Sequence, residues 1–389
     1  MTEIYFDNSA TTRICPEALR VYCEVSEAHF GNPSSRHARG ADAERQLERA
    51  RDAVRSALGT TGGEVVFTAG GTEANNLAIM GRLRAKPRFK RGGKILTTAG
   101  EHASVSHPID ALAHEGLTVA AIPTTGGVLD LDALRREATP EVCLVSMMLV
   151  NNESGALYDL AAAAKIVHAA CPEAVFHVDA TQAFLKVPFT VTSLGCDLVT
   201  VSSHKIRGPK GVGALWISPA VIKNRGIAPV MLGGGQEGDL RSGTENVPAV
   251  AAFAVAVRLG LSAREANIAH LSDLRTYFID RVQSTAALSE VRLNLPPTAA
   301  PHIVSLTMPS IKSETMLHFL SSRGMYISSG SACSSHDRHL SSAMLAFGLT
   351  DREADTTVRV SFGTDNTREE IDRFLAALAE GVAGLIRTR

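Results

Sequence analysis

Between residues 43 and 202 two periodicities take turns along the chain, and this alternation constrains the fold more than any other feature. Ala43, Leu47, Ala50, Val54 and Leu58 recur at helical spacing, and Gly59 follows them as a stop signal. Glu64–Thr68 is a short β-branched run that turns at Gly70-Gly71 into a helical stretch from Thr72. The beat continues with predicted strands at Lys94–Thr97, Thr118–Ile122, Val142–Val150, Ala174–Val178 and Leu198–Ser202. Predicted helices at Ser104–His114, Asp132–Glu137 and Leu160–Ala170 lie between them. Several of these strands are apolar throughout, the pattern of a parallel sheet covered on both faces. The alternation predicts an α/β domain with a mostly parallel sheet flanked by helices.

After Gly243 the rhythm changes. One long helix is predicted from Pro248 to Val282, with strands at His302–Met308 and Val358–Ser361 and helices at Ser313–Arg323 and Thr367–Ile386. The reading is a large domain over residues 13–264 and a smaller C-terminal α/β domain over residues 265–389, with residues 1–12 packed on the smaller one. Ser328–Ser335 contains only Ser, Gly, Ala and one Cys. Nothing there anchors a core, so a mobile or tightly turned loop is expected.

Charge and cysteine usage narrow the function classes. Thirty-nine basic residues against 40 acidic ones leave a net charge of −1, without the basic excess that phosphate neutralisation needs. Direct nucleic-acid binding is not expected. Six cysteines in 389 residues, with no C-x-x-C pair, are too few for a disulfide framework and fit a reducing compartment. Thr2–Asp7 has no apolar signal core, and Arg258 interrupts Val247–Leu261 short of a membrane span. The expectation is a cytoplasmic protein with no membrane partner.

Three short constellations carry chemistry. Ala69-Gly70-Gly71-Thr72-Glu73-Ala74-Asn75-Asn76 joins a strand to a helix, where backbone N–H groups and a Thr hydroxyl suit a phosphate. The same residues also fit a plain turn with Thr72 as N-cap. Phe176-His177-Val178-Asp179-Ala180-Thr181-Gln182 puts an acid at the C-terminal end of a strand, where open α/β sheets bind ligands. Alone, Asp179 also fits a helix cap. Ser202-Ser203-His204-Lys205 places a lysine directly after a buried-strand pattern, where desolvation makes a neutral amine accessible. Together, a phosphate cradle, a strand-end Asp and a strand-end Lys are the parts that hold pyridoxal 5'-phosphate.

With these residues in view, the chain resembles the cysteine desulfurases of the NifS/IscS-like group, in the class V aminotransferase family of fold-type I pyridoxal phosphate enzymes. Further matching segments are Asp7–Thr12, Gly31–Ser35, Glu101-His102, Asn151–Gly155, Arg241–Thr244, Ser328–Cys333 and Thr357–Ser361, in the family's order. The resemblance implies a seven-stranded-type sheet and covalent attachment of the cofactor at Lys205. It implies that Asp179 pairs with the pyridinium nitrogen, Gln182 bonds the phenolic oxygen, and His102 stacks on the ring and takes part in acid–base steps. Gly71, Thr72, Ser202 and His204 would hold the phosphate, with Thr244 reaching the site of the neighbouring subunit in a homodimer. Asn152, also placed at the cofactor, and Arg359 look like the clamp for the substrate carboxylate, assisted by Asn8.

Cys333 decides the reaction the resemblance implies. The other five cysteines sit in apolar or helical surroundings, whereas Cys333 lies among small polar residues. It would take sulfur from L-cysteine as a persulfide, release alanine, and pass the sulfur to an iron–sulfur scaffold or a tRNA-thiolation enzyme. Selenocysteine lyase, or another class V lyase or transaminase, is the alternative reading. Cys333, His336 and His339 form a C-x2-H-x2-H run whose spacing suits neither a zinc finger nor one helical face, so no metal is expected. His336 or His339 lowering the thiol pKa is a further expectation.

Overall fold

A computed structural model describes residues 3–86, 89, 92–330 and 340–386. The chain enters as strand β1 (Ile4–Tyr5) and helices α1 (Pro16–Ala28) and α2 (Ala38–Ala57). Strand β2 (Glu64–Thr68) then feeds α3 (Gly71–Ala85), β3 (Lys94–Thr98) feeds α4 (Ala103–His114), and β4 (Thr118–Ile122) precedes α5 (Leu131–Glu137). Next come β5 (Val142–Met148), α6 (Leu160–Ala170), β6 (Val175–Asp179), α7 (Val191–Leu194), β7 (Leu198–Ser202), β8 (Gly213–Ile217) and α8 (Pro219–Lys223).

These strands form one seven-stranded sheet in the order β2-β8-β7-β6-β5-β3-β4. Only β8 runs against its neighbours; every other pairing in the sheet is parallel. The segments that follow β2, β3, β5, β6 and β7 therefore leave the sheet along the same edge. The sequence reading missed β8. Gly208, Gly211 and Gly213 crowd its entry, and glycine weakens a strand pattern. Gly213 is there for contact, since a methyl group on it would sit 2.7 Å from the Gly70 carbonyl carbon.

The predicted single helix over 248–282 is corrected. Two helices, α9 (Val247–Ser262) and α10 (Arg264–Ser284), meet at 73°. Each half is held by a different core. Val250, Phe253, Ala254 and Val257 pack with the large sheet, and Leu271, Leu274, Phe278 and Val282 pack with a second apolar cluster. Among the described residues no single helix is long and apolar enough to cross a membrane.

The second cluster is built around β9 (Arg292–Asn294), β10 (Ile303–Thr307), α11 (Ser313–Ser321) and β11 (Met325–Tyr326), with β13 (Thr357–Ser361) and α14 (Arg368–Gly384), while β12 (Ser328–Ser329) lies at the edge of its sheet and α12 (Ser342–Phe347) and α13 (Asp351–Asp355) share a separate small cluster of Ala343, Met344 and Ala354. The small antiparallel sheet of the second cluster has the order β12-β13-β10-β9. Ile4 and Phe6 belong to this cluster, and β1 pairs in parallel with β11. Phe6 meets Phe362 and Phe374 edge-on, with ring centroids 5.4 Å apart in each pair. Such pairs contribute about 1 kcal/mol each beyond their burial. The first two residues of the expected Ser328–Ser335 loop are strand, paired with Arg359 and Val358; residues 331–335, with Cys333, lie outside the described residues.

Candidate active site

Asp179 is the last residue of β6, and burial of its carboxylate demands donors. Two are supplied locally. The Thr181 N–H donates to Oδ1 at 2.9 Å, and the Asn75 amide, on the first turns of α3, donates to Oδ2 at 2.8 Å. The second Asn75 hydrogen reaches Ser104 Oγ at 2.9 Å, and that hydroxyl lies 2.8 Å from His102 Nδ1. The Ser104 backbone N–H also donates to His102 Nδ1, at 3.1 Å. A backbone N–H only donates, so Nδ1 accepts and the neutral ring carries its proton on Nε2. Burial holds the His102 pKa below the usual histidine range; the Asp179 charge opposes this and the Lys205 charge adds to it.

Lys205 follows β7 on a short 3₁₀ turn, Ser203–Lys205. Its ammonium donates to the Ser9 carbonyl at 2.6 Å and to the Ala10 carbonyl at 2.8 Å. The Ser9 carbonyl also receives the Gln182 amide at 2.9 Å. The N-terminal segment thus closes over the same edge of the sheet from which Asp179 and Lys205 emerge. His204 is set by Thr11 and Thr12. Thr12 Oγ1 donates to its carbonyl at 2.8 Å, and Thr11 Oγ1 lies 3.2 Å from Nδ1. Burial, with help from Lys205, Lys210 and Lys186, brings the His204 pKa down to about 4.

The start of α3 has the features of an anion site. A methyl group on Gly71 would lie 3.1 Å from Thr181 Oγ1 and 3.5 Å from Ser202 Cβ, so these three residues face one another. Thr181 Oγ1 and Ser202 Oγ are both buried with no hydrogen-bond partner in the structure. Buried hydroxyls without partners are uncommon and mark a place where a polar group belongs. Beside them lies the positive end of a 15-residue helix. Thr72 is exposed on that turn.

Arg359, on β13, faces the large sheet. Its guanidinium donates to the Asn152 carbonyl at 2.9 Å and to Asp7 Oδ1 at 2.8 Å, while Nε is buried without a partner. The Asn8 amide donates to the Tyr5 and Ser361 carbonyls and to Asn366 Oδ1, tying the N-terminal segment to the small sheet. Thr244 is exposed, and among the described residues no hydrogen bond joins it to the Thr72 turn. Cys333, His336 and His339 lie outside the described residues.

Several residues were not singled out from sequence. Asn75 and Ser9 lie inside motifs read above, but only the packing shows which of their atoms matter. The Lys186 ammonium is buried without a partner, and burial followed by the Lys205 and Arg359 charges brings its pKa down to about 7. Its signal in the sequence is its position four residues, about one helical turn, beyond Gln182. Buried Glu101 accepts from Thr98 Oγ1 at 2.6 Å and the Met148 N–H at 2.9 Å; burial still pushes its pKa up to about 8.

Comparison with known proteins places this geometry in a family. The aminotransferase class-V family model matches residues 4–374. A NifS/IcsS protein homolog of Lactobacillus delbrueckii is 40% identical over 385 residues, covering 97% of this chain and 96% of its own. Cysteine desulfurase IscS 1 of Archaeoglobus fulgidus is 35% identical over 376 residues, covering 96% and 95% respectively. A solved NifS-like protein superposes with a TM-score of 0.90 at 32% identity, covering 99% of this chain and 100% of that one. The chain belongs to the aminotransferase class-V family, in its NifS/IscS-like cysteine desulfurase group, with fold-type I architecture.

Proposed function

We infer that this chain is a pyridoxal 5'-phosphate-dependent cysteine desulfurase that converts L-cysteine to L-alanine and keeps the sulfur as a persulfide on Cys333. The observation that carries the reading is the convergence of Asp179, Lys205 and His102 on one sheet edge beside buried hydroxyls without partners. The residues fit the cofactor. Gly71, Thr72, Thr181, Ser202 and His204 would hold its phosphate, and Asp179 and Gln182 would hold its ring. When bound, the group supplies an electron sink that acidifies Cα–H of an attached amino acid.

The protein's own side chains do the rest. Lys205 would hold the cofactor covalently and move protons at the substrate Cα. His102, with its proton on Nε2, would stack on the ring and take part in acid–base steps. Arg359 and Asn152 orient the substrate carboxylate. The Cys333 thiolate attacks the substrate's Sγ, so the Cβ–Sγ bond breaks and an S–S bond forms. With proton uptake at carbon, the remaining skeleton leaves as L-alanine. The role of Cys333 rests on the sequence reading.

The same reading includes a homodimer, with the segment around Thr244 crossing to the second subunit. Exposed Met231 and Leu232 on the approach to that segment support this. It also includes a cytoplasmic location, a division into domains near residue 264, and a sulfur-acceptor protein in iron–sulfur assembly or tRNA thiolation. The test is the visible spectrum of the purified protein, then sulfide and alanine assays of Cys333→Ser. A colourless protein that takes up no added pyridoxal phosphate overturns the cofactor. Undiminished alanine and sulfide release by Cys333→Ser overturns the persulfide.

A further inference from the structure

Residues 330 and 341 flank the segment that carries Cys333, and both stand against one side chain. The Ser341 hydroxyl donates to Glu153 Oε2 at 2.5 Å. A methyl group on Gly330 would lie 2.3 Å from the same Oε2 and 2.9 Å from Ser341 Cβ. Gly330, Glu153 and Ser341 therefore form one tight contact, in which a methyl group at 330 would displace the Glu153 carboxyl and crowd Ser341. Burial makes this contact costly to assemble, since it raises the Glu153 pKa against the opposing pull of Ser341 and Arg359.

Glu153 is also built into the substrate side of the site. Its N–H donates to Asn151 Oδ1 at 3.0 Å, and the adjoining Asn152 carbonyl receives Arg359. Arg359 in turn is the cross-strand partner of Ser328, two residues before Gly330. A closed ring thus runs from Arg359 to Asn152, Glu153, Gly330 and back through β12.

We propose that Glu153 is a positioning residue that clasps the two ends of the Cys333-bearing segment and ties them to the Arg359–Asn152 clamp. This rests on the desulfurase reading. Glu153 touches neither the substrate nor the cofactor in the proposal. It fixes the separation of Gly330 and Ser341, and with it the span from which Cys333 reaches the substrate sulfur. Glutamine at 153 keeps an acceptor oxygen for Ser341 and preserves the clasp. Alanine removes the acceptor, and a methyl group at 330 wedges the contact open.

The test compares Glu153→Ala, Gly330→Ala and Glu153→Gln with the native holoenzyme. Persulfide on Cys333 is followed by mass spectrometry in a single turnover with L-cysteine, and amide hydrogen exchange is followed over residues 328–330 and 340–347. Expected in both alanine variants is a fall in persulfide rate on the order of tenfold, the scale of one hydrogen bond to a charged group. Exchange over both stretches rises. The cofactor spectrum and the L-cysteine concentration at half-saturation stay within about twofold of native, and Glu153→Gln behaves as native. Unchanged persulfide rate and exchange in both alanine variants overturn the clasp. So does a matching loss of half-saturation, which makes Glu153 part of the substrate site. If the native protein forms no persulfide, the desulfurase reading falls, and the exchange comparison alone then decides whether Glu153 clasps the two ends.

Discussion

Asn75 donates to Asp179 Oδ2 at 2.8 Å, and its other amide hydrogen ties that carboxylate to Ser104 and through it to His102. Two residues proposed to touch opposite parts of the cofactor are thereby set by one amide from a third element. The Asn75 carbonyl oxygen is buried without a partner, so the amide is oriented by its two donor bonds alone.

Asn75→Ala is expected to strip one of the two hydrogen-bond donors to the Asp179 side chain and to release the Ser104 hydroxyl. A lost hydrogen bond to a buried carboxylate is worth about 1.5–3 kcal/mol, so pyridoxal phosphate retention should weaken on the order of tenfold or more. Equilibrium dialysis of the cofactor reads this directly. Native retention in the variant would remove Asn75 from the site.

Gly213→Ala tests the anion site without altering any residue assigned to it. The added methyl would lie 2.7 Å from the Gly70 carbonyl carbon and 2.8 Å from the Val201 carbonyl oxygen, pressing on the turn that opens α3. Overpacking of this kind costs about 1–3 kcal/mol. Lower melting temperature together with weaker cofactor retention is the expected pair. A variant matching native in both shows that the turn yields freely.

Arg359→Lys replaces a planar fork that spans the Asn152 carbonyl and Asp7 with a single ammonium. The L-cysteine concentration at half-saturation should rise on the order of tenfold or more, while the cofactor spectrum stays native. Steady-state kinetics with the L-cysteine range extended separates this from a fall in maximal rate. An unchanged half-saturation value counts against the clamp.

Glu101 carries a pH signature. Its folded pKa is raised from 4.5 to about 8, chiefly by burial. Its contribution to stability is therefore complete below about pH 4.5 and lost as pH rises through about 8. Glu101→Gln has no such proton, so its stability relative to native should climb by about 1.4 kcal/mol per pH unit between about pH 5 and 8. Urea unfolding of both proteins across that range checks it. A difference that stays constant with pH means that Glu101 is ionised in the folded protein.

Much of this site was legible before any coordinates. Period and strand composition are local properties, so β2 to β7 could be read within a residue or two, and a parallel sheet sends their following segments to one edge. Asp179, Lys205 and the Gly71 turn were readable as a set for that reason. Strand β8 was not, because its glycines serve close contact with the Gly70 turn rather than strand propensity. The break between α9 and α10 was not either, since helical spacing continues through it and the bend comes from two separate cores.

The sequence by itself determined the alternating architecture, the residues able to carry the chemistry and their order. It did so because apolar period and residue type are written into neighbouring positions. Only the tertiary structure decided that Asn75 serves both Asp179 and His102, that the Ser9 carbonyl is shared by Lys205 and Gln182, and that Glu153 stands against both Gly330 and Ser341. These contacts join residues far apart in the chain, and the partners open to a buried polar atom are set by whatever the packing brings near.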